Sequence, residues 1–156
     1  MPPAVETMMY IGKVPWHGLG NYVGDEPLLA YEAMRQAQLD WEVDLFPMVA
    51  QVPLAGATYG VAVKDHFAVI RDFDKRVLGV VGKRYEPLQN AQAFDFMDSL
   101  VGPGRMVRYH TAGSLRGGRR VWMLATVNNL AFEVVPGDPI EPYLLLYTGH
   151  DGKTCT

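Results

Sequence analysis

The residues that could carry chemistry are few in this sequence, and they lie far apart. The segment GSLRGGRR at 113–120 has the glycine spacing of a phosphate-binding P-loop. That motif requires Lys and then Ser or Thr after its last glycine, and here both positions are Arg. Its predicted setting is strand–loop–strand, whereas a nucleotide site needs strand–loop–helix. The segment is therefore better interpreted as a glycine-rich hairpin loop that exposes Arg116.

The histidines give no metal or catalytic site. His17, His66, His110 and His150 are far apart, and none has the short spacing typical of metal ligands. His150 followed by Asp151 could orient an imidazole for acid–base work, but no nucleophile partner is evident, and a local turn is the simpler interpretation. We assign no catalytic residue, no metal and no cofactor, and keep His17, His150 and Asp151 as a possible ligand site.

The sharpest feature is a change in charge along the chain. Lys and Arg minus Asp and Glu give −5 for residues 1–98, +5 for 99–132 and −3 for 133–156. The positive tract has no acidic residue, and its charge comes from five arginines, namely Arg105, Arg108, Arg116, Arg119 and Arg120. A local positive field on an acidic protein attracts anions such as phosphates. The charge pattern therefore favours a binding protein over an enzyme.

The tract also contains aromatic residues, and it predicts a hairpin of two strands, 105–112 and 119–127. If Tyr109 lies opposite Trp122, these two rings share a face with Arg105 and Arg120. Arginines that alternate with aromatic rings are typical of single-stranded nucleic-acid binding, in which cations contact phosphates and rings stack on bases. The predicted interface is Arg105, Arg108, Tyr109, Arg116, Arg119, Arg120 and Trp122. A solvated face or a contact with an acidic protein partner is the alternative.

Length and composition fit one ordinary domain. The chain has 156 residues, 49% of them hydrophobic and 20% charged, with a net charge of −3. No apolar run approaches the ~20 residues of a membrane span. The single cysteine, Cys155, indicates a reducing compartment, so we expect a cytoplasmic protein without a membrane partner. A homo-oligomer is possible.

The hydrophobic pattern predicts an α+β fold, with a mostly antiparallel sheet of hairpins and two amphipathic helices. Apolar stripes predict helices near 28–38 and 91–101, with Asn90 as the N-cap of the second. Residues 1–24 are expected to form an arm or loop in which Trp16 and Leu19 pack on a single domain spanning 25–156. Strands are predicted at 41–49, 58–64, 66–71 and 76–81, besides the arginine hairpin.

Several short stretches together resemble a known family. In chain order they are ETMMY at 6–10, PWHGLG at 15–20, LGVVGKRY at 78–85, TAGSL at 111–115, GGRRVW at 117–122, YLLL at 143–146 and HDG at 150–152. They resemble the "phage/plasmid-like" proteins of unknown function, found in bacteriophages, plasmids and prophage-like islands, and correspond to the N-terminal half of that family.

The resemblance implies a setting in a mobile element but no reaction and no catalytic residues. DNA replication, recombination and host interference are the common tasks in that setting, and the order of elements is loosely similar to the core of single-strand annealing proteins. We expect a protein that contacts single-stranded DNA. A protein-interaction module or inhibitor that docks an acidic host or phage partner is the first alternative. An enzyme acting on a phosphorylated or nucleotide substrate is the second.

Overall fold

The computed structural model describes residues 4–100, 105–128 and 132–153. Two of the predicted features, Val101 at the end of the second helix and Cys155, lie outside the described residues. In chain order, the elements are β1 (Val5–Tyr10), β2 (Asn21–Tyr22), α1 (Ala30–Gln36), β3 (Val43–Leu54), β4 (Ala57–Arg71), β5 (Val77–Gly82), α2 (Asn90–Ser99), β6 (Val107–Leu115), β7 (Arg120–Val127), β8 (Phe132–Val135), β9 (Asp138–Ile140) and β10 (Tyr143–Gly149).

The fold is mostly β, so the α+β prediction is wrong. Of the described residues, 51% lie in strands and 12% in helices. The helices have only 7 and 10 residues, whereas β3 and β4 have 12 and 15. The segments 58–64 and 66–71, predicted as two strands, form one strand with a bulge near Asp65. The bulge inserts three residues of β4, Lys64, Asp65 and His66, between the partners of Pro47 and Met48 without ending the strand, and these polar residues resemble a turn in the sequence.

The larger sheet has the strand order β10-β7-β6-β1-β2. It is mixed, because β1 pairs antiparallel with β6 but parallel with the short β2. The N-terminal strand therefore lies inside the sheet, although its residues belong to the segment predicted as an arm. The division of the chain at residue 24 stays a prediction.

The smaller sheet is an antiparallel meander, β3-β4-β5. β4 pairs with β5 only over His66–Ile70, so β3 and β4 continue alone beyond the bulge as a two-stranded hairpin. A separate two-stranded sheet is formed by β8 and β9.

The core lies between the sheets and the two helices. Small side chains on one side of α1, Ala33 and Ala37, are fully buried, and Phe94 and Met97 of α2 are buried beside them. The predicted helical stripes therefore face the core, except that Leu100 is exposed. Burial of such a stripe, rather than helix propensity, stabilises helices this short.

The second helix begins differently from the prediction. Its N-cap is Gln89, which forms a reciprocal capping box with Gln92, and Asn90 is the first helical residue. The Asn90 side chain points into the core, where its Nδ2 donates to the carbonyl oxygen of Leu39 at 3.0 Å. Asn90 therefore joins α2 to the start of β3 instead of capping the helix.

The segment between β1 and β2 is an ordered loop, closed by a hydrogen bond from the amide of Gly12 to the carbonyl oxygen of Gly24. Trp16 is 85% exposed and Leu19 is 40% exposed, so the prediction that these side chains pack on the domain is wrong. Within the described part of the chain, neither helix is long and apolar enough to cross a membrane.

Candidate nucleic-acid interface

The five-stranded sheet has one face on the core and an opposite face, which we name the outer face. On β10, Leu144 and Leu146 pack toward the core, so the alternate residues Tyr143, Leu145 and Tyr147 lie on the outer face. All three are exposed, Leu145 to 66%. The outer face therefore presents a row of large apolar and aromatic side chains to solvent.

Trp122 of β7 continues this row. It lies directly opposite Tyr147 on one side and Gly113 of β6 on the other. A Cβ atom at Gly113 would meet both the carbonyl oxygen of Thr7 and Cη2 of Trp122. Because glycine leaves that space free, the indole ring lies over β6 and stays partly exposed. Trp122 is thus held as a ring on the sheet surface, and Tyr147 is its cross-strand neighbour on β10.

The turn between β6 and β7 carries free positive charge at one end of this face. Arg116 and Arg119 are both exposed, and neither takes part in the ion pairs found among the described residues. Arg119 lies three residues from Trp122, about 10 Å along an extended strand. The turn therefore places two unpaired cations at the end of the strand that carries Trp122.

A buried ion cluster supports this turn from below. Nη1 and Nη2 of Arg71 donate to the two carboxylate oxygens of Glu6, each at 2.9 Å, and Nη2 also donates to Asp74 at 2.6 Å. These hydrogen bonds from Arg71 lower the pKa of both the Glu6 and the Asp74 carboxyl groups. The cluster packs against the turn at Gly118, where a Cβ would lie 2.6 Å from Nη1 of Arg71.

Three of the acids at this end are paired with cations. Glu6 also accepts from Arg76 at 3.1 Å, and Asp151 pairs with Arg120 at 2.9 Å. The ion pairs at this end thus use Arg71, Arg76 and Arg120 on one side and Glu6, Asp74 and Asp151 on the other, while Asp40 and Asp72 line a pocket with Glu6 and Arg71. Arg116 and Arg119 are the arginines of the turn that form no ion pair among the described residues.

The structure separates the five predicted arginines. Arg105 and Arg108 lie at the opposite end of β6, about 30 Å from the turn. Arg108 lines a cleft with Glu26 and Glu141, so acidic side chains from other elements lie beside it. The acid-free tract of the sequence is therefore not an acid-free surface.

The predicted register of the hairpin is wrong, because Trp122 pairs with Gly113, and Tyr109 pairs with Ala125. A bulge between Tyr109 and Thr111 reverses the alternation along β6. Tyr109 consequently points into the core and is fully buried. Its hydroxyl donates to Asp98 at 2.9 Å, and burial raises its pKa. Tyr109 therefore cannot stack on a base.

His150 and Asp151 join the two sheets. Nε2 of the buried His150 lies 3.0 Å from Oδ1 of Asn90, and its ring meets Trp41 edge-on, with centroids 5.1 Å apart. The backbone of Asp151 crosses β5 at Gly79, where a Cβ would lie 2.6 Å from the Cα of Asp151. Burial lowers the pKa of His150 to about 4. The HDG stretch therefore has a structural role, because its close packing connects the two sheets.

His17 lies in the exposed loop, where its Nδ1 accepts a hydrogen bond from the amide of Leu19 at 3.1 Å. It is not brought near His150. Among the described residues, no group of three or more His, Cys, Asp or Glu side chains could hold a metal ion. In the P-loop-like segment, β6 ends at Leu115 and β7 begins at Arg120, so the predicted strand–loop–strand setting is confirmed.

Sequence reasoning missed Tyr143 and Tyr147 as members of this face. The signal was present as the alternation Tyr143-Leu144-Leu145-Leu146-Tyr147. However, an apolar run of this length is equally typical of a strand buried on both faces. Only the position of β10 at the sheet edge shows that one side of the run is exposed.

Comparison with known proteins gives one family. A model described as "Domain of unknown function (DUF932)" matches residues 77–156, which is just over half of the chain. The match covers α2, the arginine hairpin and β10, and so includes most of the outer face. It agrees with the expected family of unknown function. No curated protein and no solved structure matches the chain.

Proposed function

We propose that this chain, which belongs to the DUF932 family of domains of unknown function, binds single-stranded nucleic acid on the outer face of its five-stranded sheet. The observation that supports this proposal is one arrangement. Trp122 and Tyr147 lie directly opposite each other on the outer side of neighbouring strands, and the sheet surface that carries them ends at the free cations Arg116 and Arg119.

Each part of this arrangement supplies one component of binding. A base stacked on an exposed aromatic ring contributes roughly 1–3 kcal/mol, largely independent of the base. An arginine that contacts a phosphate releases a condensed counterion, so the affinity falls as salt concentration rises. Tyr143 extends the row of rings along β10, so the face offers stacking positions for more than one base.

The preference for single strands follows from the flat shape of the ring surface. In a duplex the faces of the bases are stacked on each other, and only their edges and the phosphates are accessible. Rings that lie on a sheet contact base faces, as the aromatic residues of RNA-binding sheets do.

As part of the same proposal, the protein acts in the host-cell cytoplasm on DNA of a phage or plasmid, for example during recombination.

The experiment is a titration of a fluorescently labelled oligothymidine with the protein at two salt concentrations. We expect Arg116→Ala combined with Arg119→Ala to weaken binding. It should reduce the slope of log K against log salt by roughly 1.4, about 0.7 for each lost phosphate contact. Tyr147→Ala should weaken binding by about 5- to 150-fold, since a stacked base contributes roughly 1–3 kcal/mol.

Two matched controls separate these effects from general changes in the protein. Arg35→Ala combined with Lys64→Ala removes the same charge from other exposed positions. Tyr31→Ala removes an exposed ring from α1, away from the outer face. Equal losses in a variant and its control, or a wild-type protein that does not bind at low salt, would refute the proposal.

One observation favours a second candidate, the docking of a protein. Leu145 is the most exposed of the three β10 side chains, and Leu124 lies directly opposite it. Leucine cannot stack on a base as an aromatic ring does, whereas an apolar patch with an arginine rim is typical of protein interfaces. If the outer face binds neither single-stranded nor duplex DNA, protein docking becomes the favoured function of the same residues.

A further inference from the structure

The hairpin formed by β3 and β4 contains a long uncharged segment. Residues 45–63 include no Asp, Glu, Lys, Arg or His, although 20% of the whole chain is charged. From residue 48 to residue 63 the two strands pair only with each other, which makes this part a two-stranded projection that we name the arm. Such a hairpin is marginally stable in water by itself.

The arm has two unequal faces. Cross-strand pairing places eight side chains on the face that we name the arm face, and all of them are apolar or aromatic: Met48, Ala50, Val52, Leu54, Ala57, Tyr59, Val61 and Val63. The opposite face carries Val49, Gln51, Pro53, Thr58, Gly60 and Ala62. The larger members of the arm face are strongly exposed, Leu54 to 64% and Val61 to 52%. The arm therefore exposes one apolar side that no described element covers.

This apolar side continues onto the body of the protein. Along β3, Phe46 lies on the same side as Met48, because alternate residues share a face. Phe46 pairs with Ala68, which pairs with Val80, and both Phe46 and Val80 are about half exposed. We name these three residues the root. On β3 no charged residue separates the arm face from the root, whereas on β4 the exposed Lys64, Asp65 and His66 lie between Val63 and Ala68.

We propose that the arm of one copy of this chain packs on the root and arm face of a second copy, so that two copies exchange arms. An uncharged surface has no complementarity to phosphates or to an acidic protein. Insertion into a lipid bilayer would leave the free edges of the two strands without hydrogen bonds, which is costly in hydrocarbon. A second copy offers an apolar surface of matching character, and reciprocal contact through a twofold axis is the commonest symmetry.

The size of the surface favours reciprocal contact. The arm face and the root together offer eleven residues from each copy. A stable interface of standard size takes about 20–30 residues from each partner, so this contact is a small one. Reciprocal exchange uses all eleven residues of each copy, whereas one arm on a flat partner would use only the eight residues of its arm face.

The experiment measures molar mass by light scattering during size-exclusion chromatography, from about 1 to about 100 μM, where the weaker interfaces of this size dissociate. We expect wild-type protein to run as a dimer. Val52→Glu combined with Val61→Glu places two charges in the arm face and should raise the dissociation constant at least a hundredfold. Circular dichroism and a thermal melt check that this variant is folded.

The matched control places the same two charges on the other face of the same hairpin, through Gln51→Glu combined with Ala62→Glu. It should remain a dimer. A wild-type protein that stays monomeric at the highest concentration would overturn the proposal, and so would two double variants that lose association to the same extent. Nucleic-acid binding by the outer face does not depend on this result, because Trp122, Tyr147 and the arginines belong to the other sheet.

Discussion

Protonation of His150 should destabilise this protein at mildly acidic pH. Oδ1 of Asn90 can only accept a hydrogen bond, so Nε2 of His150 must carry the proton that is donated to it. Nδ1 is then a bare acceptor, and it is buried without a hydrogen-bond partner among the described residues. A proton added at Nδ1 would place a charge in an apolar site beside the Trp41 ring.

The size of this loss of stability follows from the difference between the pKa values of His150 in the unfolded and folded states. Burial lowers the pKa of His150 from 6.5 to about 4 in the folded protein. Because the unfolded chain takes up the proton first, the free energy of unfolding falls as pH decreases below the unfolded value of 6.5, and the loss is complete below about pH 4. One pKa unit corresponds to about 1.4 kcal/mol, so the loss by pH 4.5 is about 2–3 kcal/mol.

Urea unfolding followed by tryptophan fluorescence, at several values between about pH 7 and about pH 4.5, measures this loss. His150→Gln keeps a donor for Asn90 but cannot titrate, so it should lose clearly less stability than wild type over this range. A smaller loss remains, because burial also lowers the pKa of His110. His66→Gln, at an exposed position, is the control and should behave as wild type. If His150→Gln loses as much stability as wild type on acidification, or if the pKa of His150 measured by NMR is near 6.5, the reasoning is wrong.

Two further substitutions test the packing that supports the outer face. Gly79→Ala should lower the free energy of unfolding by about 1–3 kcal/mol, because its Cβ would lie 2.6 Å from the Cα of Asp151. Gly82→Ala, where the nearest atom is 4.0 Å away, is the control in the same strand, and equal losses in urea unfolding would contradict this contact. Glu6→Gln should lower the free energy of unfolding by about 3 kcal/mol, because it leaves the buried Arg71 with one carboxylate. A loss below about 1 kcal/mol would mean that Asp74 alone satisfies the guanidinium.

Local patterns predicted local features well. The apolar stripe within the helix predicted near 28–38 includes Ala33 and Ala37, and both are buried. In the strand predicted at 41–49, Trp41 and Val43 alternate with polar residues and are buried. The segment between the strands predicted at 66–71 and 76–81 has the composition of a turn, and it supplies Asp74 to the Arg71 cluster. These features depend on neighbours in the chain, so periodicity and residue type are enough to predict them.

The fold class was wrong because apolar stripes of helical period show that helices exist but not how much of the chain they contain. The two helices are short, while a bulged strand of 15 residues was read as two separate strands. Register was wrong for a related reason. One extra residue at a bulge reverses the direction of every following side chain, and nothing in the local sequence around His110 distinguishes a bulged strand from a regular one.

The sequence alone shows which groups are present: five arginines in a tract without an acid, a ring at Trp122, and an uncharged run at 45–63. Which of these groups are exposed and unpaired depends on the tertiary structure. Asp151 neutralises Arg120, β6 separates Arg105 and Arg108 from the turn, and the core encloses Tyr109. The physical reason is that charge and exposure depend on distances in space, which long-range pairing sets. Residues more than a hundred positions apart, such as Glu6 and Ser114, are hydrogen-bonded neighbours at this site.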